Sequence, residues 1–508
     1  METSRADDDE HKYQPIRTSD AVHHLTMDPI FTSDTHFATI DQVDAAVDEI
    51  LSGGNLPETI VSKLTNFELP FYERSFELRK LTIMKQICRQ SDSVTQYQRQ
   101  QDKNNRAADQ LDKVPQLHFV GFKHAFEEMN YMSGSPFGND QVERFLDLGC
   151  APGGFALWLL QNNKSARGKG VTLSPEAKGI RLRLVPRFPE RFHVQYEDVC
   201  NIATGQVAFE EPPAGGFDLV TANAAIMLAD NKIPWNLTIR LVYAQLLVAF
   251  QYIAQGGSLV ISFRSRPVSW VVDIVRFIGQ TFTSVAAENP SFQARRSFAY
   301  VVCRGFKAGG DEKKRDIQRL RECVDYLENI SRISICECTS GRRITDIQSM
   351  VAGPIDDPVS GTTNIPRLCG AQGEVLPDET YQYVTDMFDN AWKRQYMGIR
   401  SQYEGVLLKQ AAQIKAQDRD TRKGGTGQPV RRGSVSTSVS ATGTVTPSGS
   451  LQTPAVQPSE GGPFKWSRPI DDYQRRRQQT KTAYTSFFKL DRRNGMSDGP
   501  DGPGSWRR

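Results

Sequence analysis

The residues best placed to do chemistry are the run Asp147-Leu-Gly-Cys-Ala-Pro-Gly-Gly154. It follows a short apolar stretch, "RFLDLGC" (144–150), and leads into "APGGFALWLLQ", where Phe155, Leu157, Trp158, Leu159 and Leu160 have helical spacing. A strand, a glycine turn and a helix make the first unit of a doubly wound sheet, and ligands sit at the carboxyl end of that strand. Gly149 permits the tight turn, while Gly153 and Gly154 leave no Cβ between the backbone and a ligand. A helix N-terminus offers unpaired N–H groups and partial positive charge, which suit a carboxylate. Asp147 is placed to meet an ammonium. The spacing Gly149 to Gly153 is not the dinucleotide fingerprint, and no lysine follows as in a phosphate-binding loop.

The elements that must position this turn alternate apolar runs with amphipathic ones from 116 to 307, the pattern of βαβ units around a parallel sheet. "GKGVTLS" (168–174) reads as the second strand and ends at Leu173 and Ser174, where an acidic residue would hold ribose hydroxyls. "FHVQYEDVCN" (192–201) reads as the third, with Asp198 positioned to accept from an exocyclic amine or to cap a helix. "FDLVTANAAIM" (217–227) is the fourth. A long helix is expected over 237–257, ending at Gly256-Gly257, then a fifth strand at 258–263 and a closing strand at 298–306 preceded by the loop "NPSFQARRS".

Outside this region the chain changes character. Residues 1–40 are polar and weakly patterned and are expected to be disordered. Residues 41–113 carry helical i, i+3/i+4, i+7 spacing, and 310–416 read as a second helical extension. From 417 the tail is rich in Ser, Thr, Gly and Pro, and it too is expected to be disordered. The net charge of +3 hides an uneven distribution: residues 421–508 hold 15 Lys/Arg against 6 Asp/Glu, with Phe464, Trp466, Tyr473, Tyr484, Phe487 and Phe488 interleaved. Such a tail suits RNA contact by phosphate neutralisation and stacking, or serves as a flexible or phosphorylated linker.

With 38% hydrophobic residues and a mean hydropathy of −0.48, the 508 residues suit one sizeable core plus helical pieces. No run of 18 apolar residues suggests a membrane span. The acidic, polar start "METSRADDDEHKYQ" does not read as a secretory signal. The eight cysteines are scattered, and the nearest pair, Cys336 and Cys338, lacks zinc-site spacing, so no metal is expected and the thiols read as reduced. A cytoplasmic or nuclear location is expected. The sequence leaves the oligomeric state open.

The order and wording of "FLDLGCAPGGF…WLL", "GVTL", "EDV", "FDLV", "LLVAFQYIAQGGSLVISF" and "YVVCRGF" resemble the FtsJ-like family, RNA ribose 2′-O-methyltransferases that use S-adenosylmethionine. The resemblance covers about 190 of the 508 residues. It implies an α/β, Rossmann-like doubly wound methyltransferase domain with helical N- and C-terminal extensions, S-adenosylmethionine as cofactor, and RNA as acceptor. The implied cofactor-binding positions are Asp147, Gly149, Ala151, Pro152, Gly153, Gly154, Phe155, Leu173, Asp198 and Asn223.

The same resemblance implies a Lys-Asp-Lys-Glu tetrad that activates the ribose hydroxyl. A 2′-hydroxyl is a poor nucleophile, so a lysine held by carboxylates is needed to orient it or lower its pKa. The four matching positions here are Glu127, Asn223, Ser262 and Phe298. Lys123 lies one helical turn before Glu127 as a substitute, and Arg264 and Arg296 are the nearest other cations. Arginine stays protonated and cannot serve as a base. Two readings follow: a methyltransferase acting on RNA, with a protein or small molecule as a third possible acceptor, and a pseudo-methyltransferase that binds or scaffolds without transfer.

Overall fold

The computed structural model describes residues 37–54, 57–109, 113–177, 179–184, 188–226, 235–339, 364–371 and 374–424. Residues 1–36 and the tail from 425, with its basic and aromatic residues, lie outside the described residues.

Seven strands form one sheet: β1 (Arg144–Leu148), β2 (Arg167–Thr172), β3 (Phe192–Tyr196), β4 (Phe217–Ala222), β5 (Ile253–Arg264), β6 (Phe282–Glu288) and β7 (Phe298–Phe306). Their order is β3-β2-β1-β4-β5-β7-β6. The first five run parallel, while β7 pairs antiparallel with β5 and β6. The order reverses between β1 and β4, and a ligand crevice belongs at such a switch point, at the carboxyl ends of the strands.

Alternation along the strands divides the core between the two faces. Phe145, Leu219, Val260, Tyr300 and Val302 point to one side, onto α6 (Lys113–Met132) and α7 (Gly154–Asn162). Leu146, Leu148, Val220, Ile261 and Val301 point to the other, onto α9 (Trp235–Tyr252) and α10 (Ser269–Thr281). Both faces are covered, which is why the central strands read as near-continuous apolar runs.

Two boundaries differ from the sequence reading. The helix expected over 237–257 spans Trp235–Tyr252, and Gly256-Gly257 lies inside β5 instead of capping the helix. There the register jumps from Phe217↔Ile253 to Leu219↔Ser258, a bulge that Gly256 accommodates with φ +76°. Strand β6 has no counterpart in the sequence reading. "FTSVAAE" carries little apolar alternation, and its place is fixed by pairing with β7.

The extensions are helical and fold onto the sheet domain. From the N-terminal side come α1 (Ile40–Ser52), α2 (Glu58–Val61), α3 (Leu69–Arg74), α4 (Phe76–Gln90) and α5 (Asp92–Asp109). From the C-terminal side come α11 (Gly310–Thr339), packed along α9, and α12 (Asp378–Gly424), which runs past 416 and packs on α4 and β6. Val43, Leu81, Phe388 and Trp392 of these helices share one core with α10. Polar contacts pin the arrangement: Trp392 Nε1 donates to the Ser265 carbonyl at 2.8 Å, and buried Glu68 pairs with Arg266. Among the described residues no helix is long and apolar enough to cross a membrane.

Because Trp392 is fully buried between the arms and the sheet domain, Trp392→Ala is expected to cost about 3–5 kcal/mol. Thermal unfolding of the wild type should show one transition for arms and domain together. A variant that melts as the wild type does would show that the arms contribute nothing to stability.

Candidate active site

Strand β1 delivers Asp147 to the carboxyl edge of the sheet as its penultimate residue, buried at 2% exposure. Oδ1 accepts from the Thr221 hydroxyl on neighbouring β4 at 2.7 Å, while Oδ2 is buried with no hydrogen-bond partner. Burial pushes the carboxyl up to about 6, against the opposing pull of the Thr221 hydroxyl and the Ala156 amide. An orphaned carboxylate oxygen in a cleft is a demand for a cation or donor.

The turn that follows is built from backbone packed on backbone. Gly149 has φ +79°, and a Cβ there would meet the Ala224 Cα at 2.3 Å. A Cβ on Gly154 would meet the Phe119 carbonyl oxygen at 2.6 Å and the Lys123 nitrogen at 2.7 Å, so the N-terminus of α7 lies directly against α6. Gly153 faces Leu184 and Leu182, and the Arg183 amide donates to the Pro152 carbonyl at 3.1 Å. The sequence assigns the glycines at 153 and 154 to making room for a ligand. Their missing side chains also make room for α6 and for the segment 179–184.

Beside the turn lies a narrow cleft lined by Phe122, Asp147, Gly149, Cys150, Ala151, Pro152, Gly154, Phe155 and Asn223. Seven of the expected cofactor positions therefore meet in one place. Gly153, Leu173 and Asp198 do not line it. Leu173 stands 41% exposed just past β2, and Asp198 caps α8 (Val199–Ala203), its Oδ1 accepting from the Cys200 amide at 2.8 Å. Phe122, Cys150 and Thr221 are site residues that the sequence does not single out. Phe122 reads there only as one more apolar residue of α6, so nothing marks it.

The tetrad positions are brought together only in part. Ser262 on β5 donates to Asn223 Oδ1 at 2.8 Å. The buried Tyr300 hydroxyl on β7 donates to Gln293 Oε1 at 2.5 Å, and burial holds it well above its ordinary pKa against hydrogen bonds with Asn223 and Gln293. Phe298 is half-buried, edge-on to Tyr300. Glu127 is exposed on α6 and pairs with His124 Nδ1 at 3.3 Å. Lys123 is half-buried beside Phe122. Beside the cleft-lining Asn223 stands a neutral chain, Ser262–Asn223–Tyr300–Gln293. It can hold and orient a polar group, but none of its members takes up a proton near pH 7.

A family model described as FtsJ-like methyltransferase matches residues 123–306. Among solved structures, the chain is similar to a protein from Plasmodium falciparum described as a ribosomal RNA methyltransferase, at 18% identity over 37% of this chain and 97% of that one, with a TM-score of 0.29. It is also similar to the fibrillarin/Nop5p complex, at 16% identity over 37% and 84%, TM-score 0.27. The pyocyanin biosynthetic protein PhzM gives 16% identity over 36% and 54%, TM-score 0.24. No curated protein is significantly similar to the chain in sequence.

The raised Asp147 pKa has a stability signature. Between about pH 4 and pH 6 the folded carboxyl keeps a proton that the unfolded chain has already released, so stability falls as pH rises through that window. Asp147→Asn removes the ionisable group, and at pH 8 it is expected to recover up to about 3 kcal/mol that it does not recover at pH 4. Melting curves of the two proteins across this range check it, and parallel curves would contradict it. Over residues 123–306 the chain is similar to the FtsJ-like methyltransferases, as that family model describes them.

Proposed function

We propose that this domain binds S-adenosylmethionine in the cleft between β1 and β4 and presents it to an acceptor at the carboxyl edge of the sheet. The observation that carries the reading is the buried Asp147 Oδ2, which has no hydrogen-bond partner in a residue that lines the cleft at the start of α7. The cofactor's amino-acid end supplies the ammonium that Asp147 demands and a carboxylate for the N–H groups of the helix. Its sulfonium supplies an electrophilic methyl group. Phe122 and Phe155 give the cleft apolar walls, and Asn223 offers an amide at its far side. The family resemblance supports an RNA ribose 2′-hydroxyl as the acceptor.

A second reading, binding without transfer, rests on the Ser262–Asn223 hydrogen bond. These two positions hold a lysine and an aspartate in the family's tetrad, and here they satisfy each other. No ammonium is fixed there by a carboxylate, so a ribose hydroxyl in that position would have no group lowering its pKa.

Calorimetric titration with S-adenosylhomocysteine is expected to show binding that strengthens between pH 5 and pH 7.5, as Asp147 ionises, and weakens at least tenfold in Asp147→Asn. A wild type that takes up no ligand would sink the proposal. Transfer of labelled methyl from the cofactor to cellular RNA then separates the two readings. The first expects label in RNA from the wild type. The second expects none until Glu127→Lys, Asn223→Asp, Ser262→Lys and Phe298→Glu are combined.

A further inference from the structure

The loop between β6 and β7, residues 289–297, is held at both ends by the C-terminal arm on the rim of the sheet. At its start, Arg394 of α12 donates through Nε to the Asn289 carbonyl at 2.8 Å and through Nη2 to Ser291 Oγ at 3.4 Å. The same guanidinium pairs with Glu128 of α6, whose carboxylate accepts from the Ser291 amide at 2.8 Å and its hydroxyl at 2.9 Å. At its end, the fully buried Gln395 donates through Nε2 to Ser297 Oγ at 3.1 Å, while its Oε1 accepts from Lys85 Nζ of α4 at 3.3 Å. Between the two, Gly398 brings α12 so near the loop that a Cβ there would meet the Ala294 carbonyl carbon at 3.0 Å. Phe292 lies over Gly121 of α6, where a Cβ would overlap its ring.

This loop reaches the cleft through one side chain. Gln293 Oε1 accepts from the Tyr300 hydroxyl at 2.5 Å, and a further hydrogen bond joins Tyr300 to Asn223, which lines the cleft. Both Tyr300 and Gln293 are buried, so water is a poor substitute for either partner. Losing Gln293 would leave the Tyr300 hydroxyl free to turn, and with it the amide of Asn223. Glu128 joins the same frame from the other side, since its helix also supplies Phe122 to the cleft.

The charges at the start of the loop balance only in part. Glu288, the last residue of β6, is buried with Oε2 unpaired. Glu128 faces it from α6, Arg394 faces it from α12, and Tyr300 stands opposite it on β7. No charged group of α10, which also packs on β6, acts on it. Burial pushes its carboxyl up to about 7, with the Arg394 charge pulling down and the Glu128 charge pushing further up. One guanidinium therefore serves two buried carboxylates, and one of these ionises near neutral pH.

We infer that Arg394 is a positioning residue for the cofactor cleft, acting through the 289–297 loop, Gln293 and Tyr300 on Asn223. Coupling between separated sites is carried by packed side chains and hydrogen-bond networks of this kind. Arg394 lies outside residues 123–306, so the support is one that the C-terminal arm adds to the region matched by the family model. The inference rests on the cofactor reading for what the cleft holds, while the link from arm to loop is independent of it.

The test compares the full-chain wild type with Arg394→Gln, with Arg394→Gln combined with Glu288→Gln, and with Gln293→Leu. Each is titrated calorimetrically with S-adenosylhomocysteine at pH 6 and pH 8. Arg394→Gln is expected to weaken binding about threefold at pH 6 and about tenfold at pH 8, the factor growing as Glu288 ionises beside Glu128 with no cation between them. Asp147 titrates alike in both proteins and cancels in the ratio. In the combined variant the factor is expected to be the same at both pH values, a pattern that general loosening of the fold would not give. Gln293→Leu leaves the ion pair in place and is expected to weaken binding about threefold at either pH. A factor for Arg394→Gln that does not change with pH would overturn the inference, and so would wild-type affinity in Gln293→Leu. The second of these variants decides the matter if Arg394→Gln does not fold. Hydrogen exchange of the ligand-free proteins, corrected for the intrinsic rate, reads the link without the cofactor. Arg394→Gln is expected to raise exchange across 289–300 and leave 144–172 unchanged, and equal exchange in both proteins would overturn the inference. A wild type that takes up no S-adenosylhomocysteine fells the cofactor reading, and the exchange then decides whether Arg394 holds the loop.

Discussion

At the carboxyl edge of the sheet, two stretches of backbone approach others so closely that no side chain fits between them. Gly149 lies against Ala224, which ties the end of β1 to the segment after β4, and Gly154 lies against Phe119 and Lys123, which seats α7 on α6. A methyl group at either place would drive backbone from backbone, a clash that side-chain repacking cannot relieve. These contacts fix where Asp147 ends, where α7 begins and how wide the cleft between them is. Gln245 adds to this by bonding both the amide and the carbonyl of Ala224, which holds Asn223 beside Ser262.

The cleft so framed is uneven in chemistry. At Asp147 it keeps a carboxylate buried at a cost and half satisfied by Thr221, and perturbed buried carboxyls of this kind gather at functional sites. Around Asn223 the side chains are neutral and satisfy one another. A lysine at position 262 would need a carboxylate within a few ångströms, because an unpaired ammonium at such a half-buried place is expensive. Asparagine at 223 and phenylalanine at 298 supply none. The replacements are therefore mutually consistent, since each removes a charge that the others would have had to balance.

The arms extend the domain's surface at the ends of β5 and β7. Helices α4 and α12 do not simply flank the sheet; they bond to residues that continue β5 and β7 past the tetrad positions. The apolar core is continuous from α4 and α12 through α10 to the sheet, so positioning of the rim is coupled to packing of the arms. Residues from positions 85 and 395 meet within a few ångströms of 265 and 297, and no local sequence pattern could have announced that meeting.

The sequence by itself determined six of the seven strands, the glycine turn, and which residues stand at the positions that the family resemblance marks: Glu127, Asn223, Ser262 and Phe298. Strand–turn–helix patterning is local, and a residue's identity at a motif position is read without coordinates. It also marked Asp147 as the residue to watch, and it did not show that Gly153 and Gly154 leave room for neighbouring segments of the chain as well. Strand β6 escaped because its residues owe their conformation to β7 and not to their own alternation. Only the tertiary structure decided that Asp147 is half unsatisfied, that Asn223 and Ser262 satisfy each other, and that Glu127 points away to His124. Burial and hydrogen-bond partnership depend on segments far apart in the chain, and those are brought together by packing free energy that no short window of sequence contains.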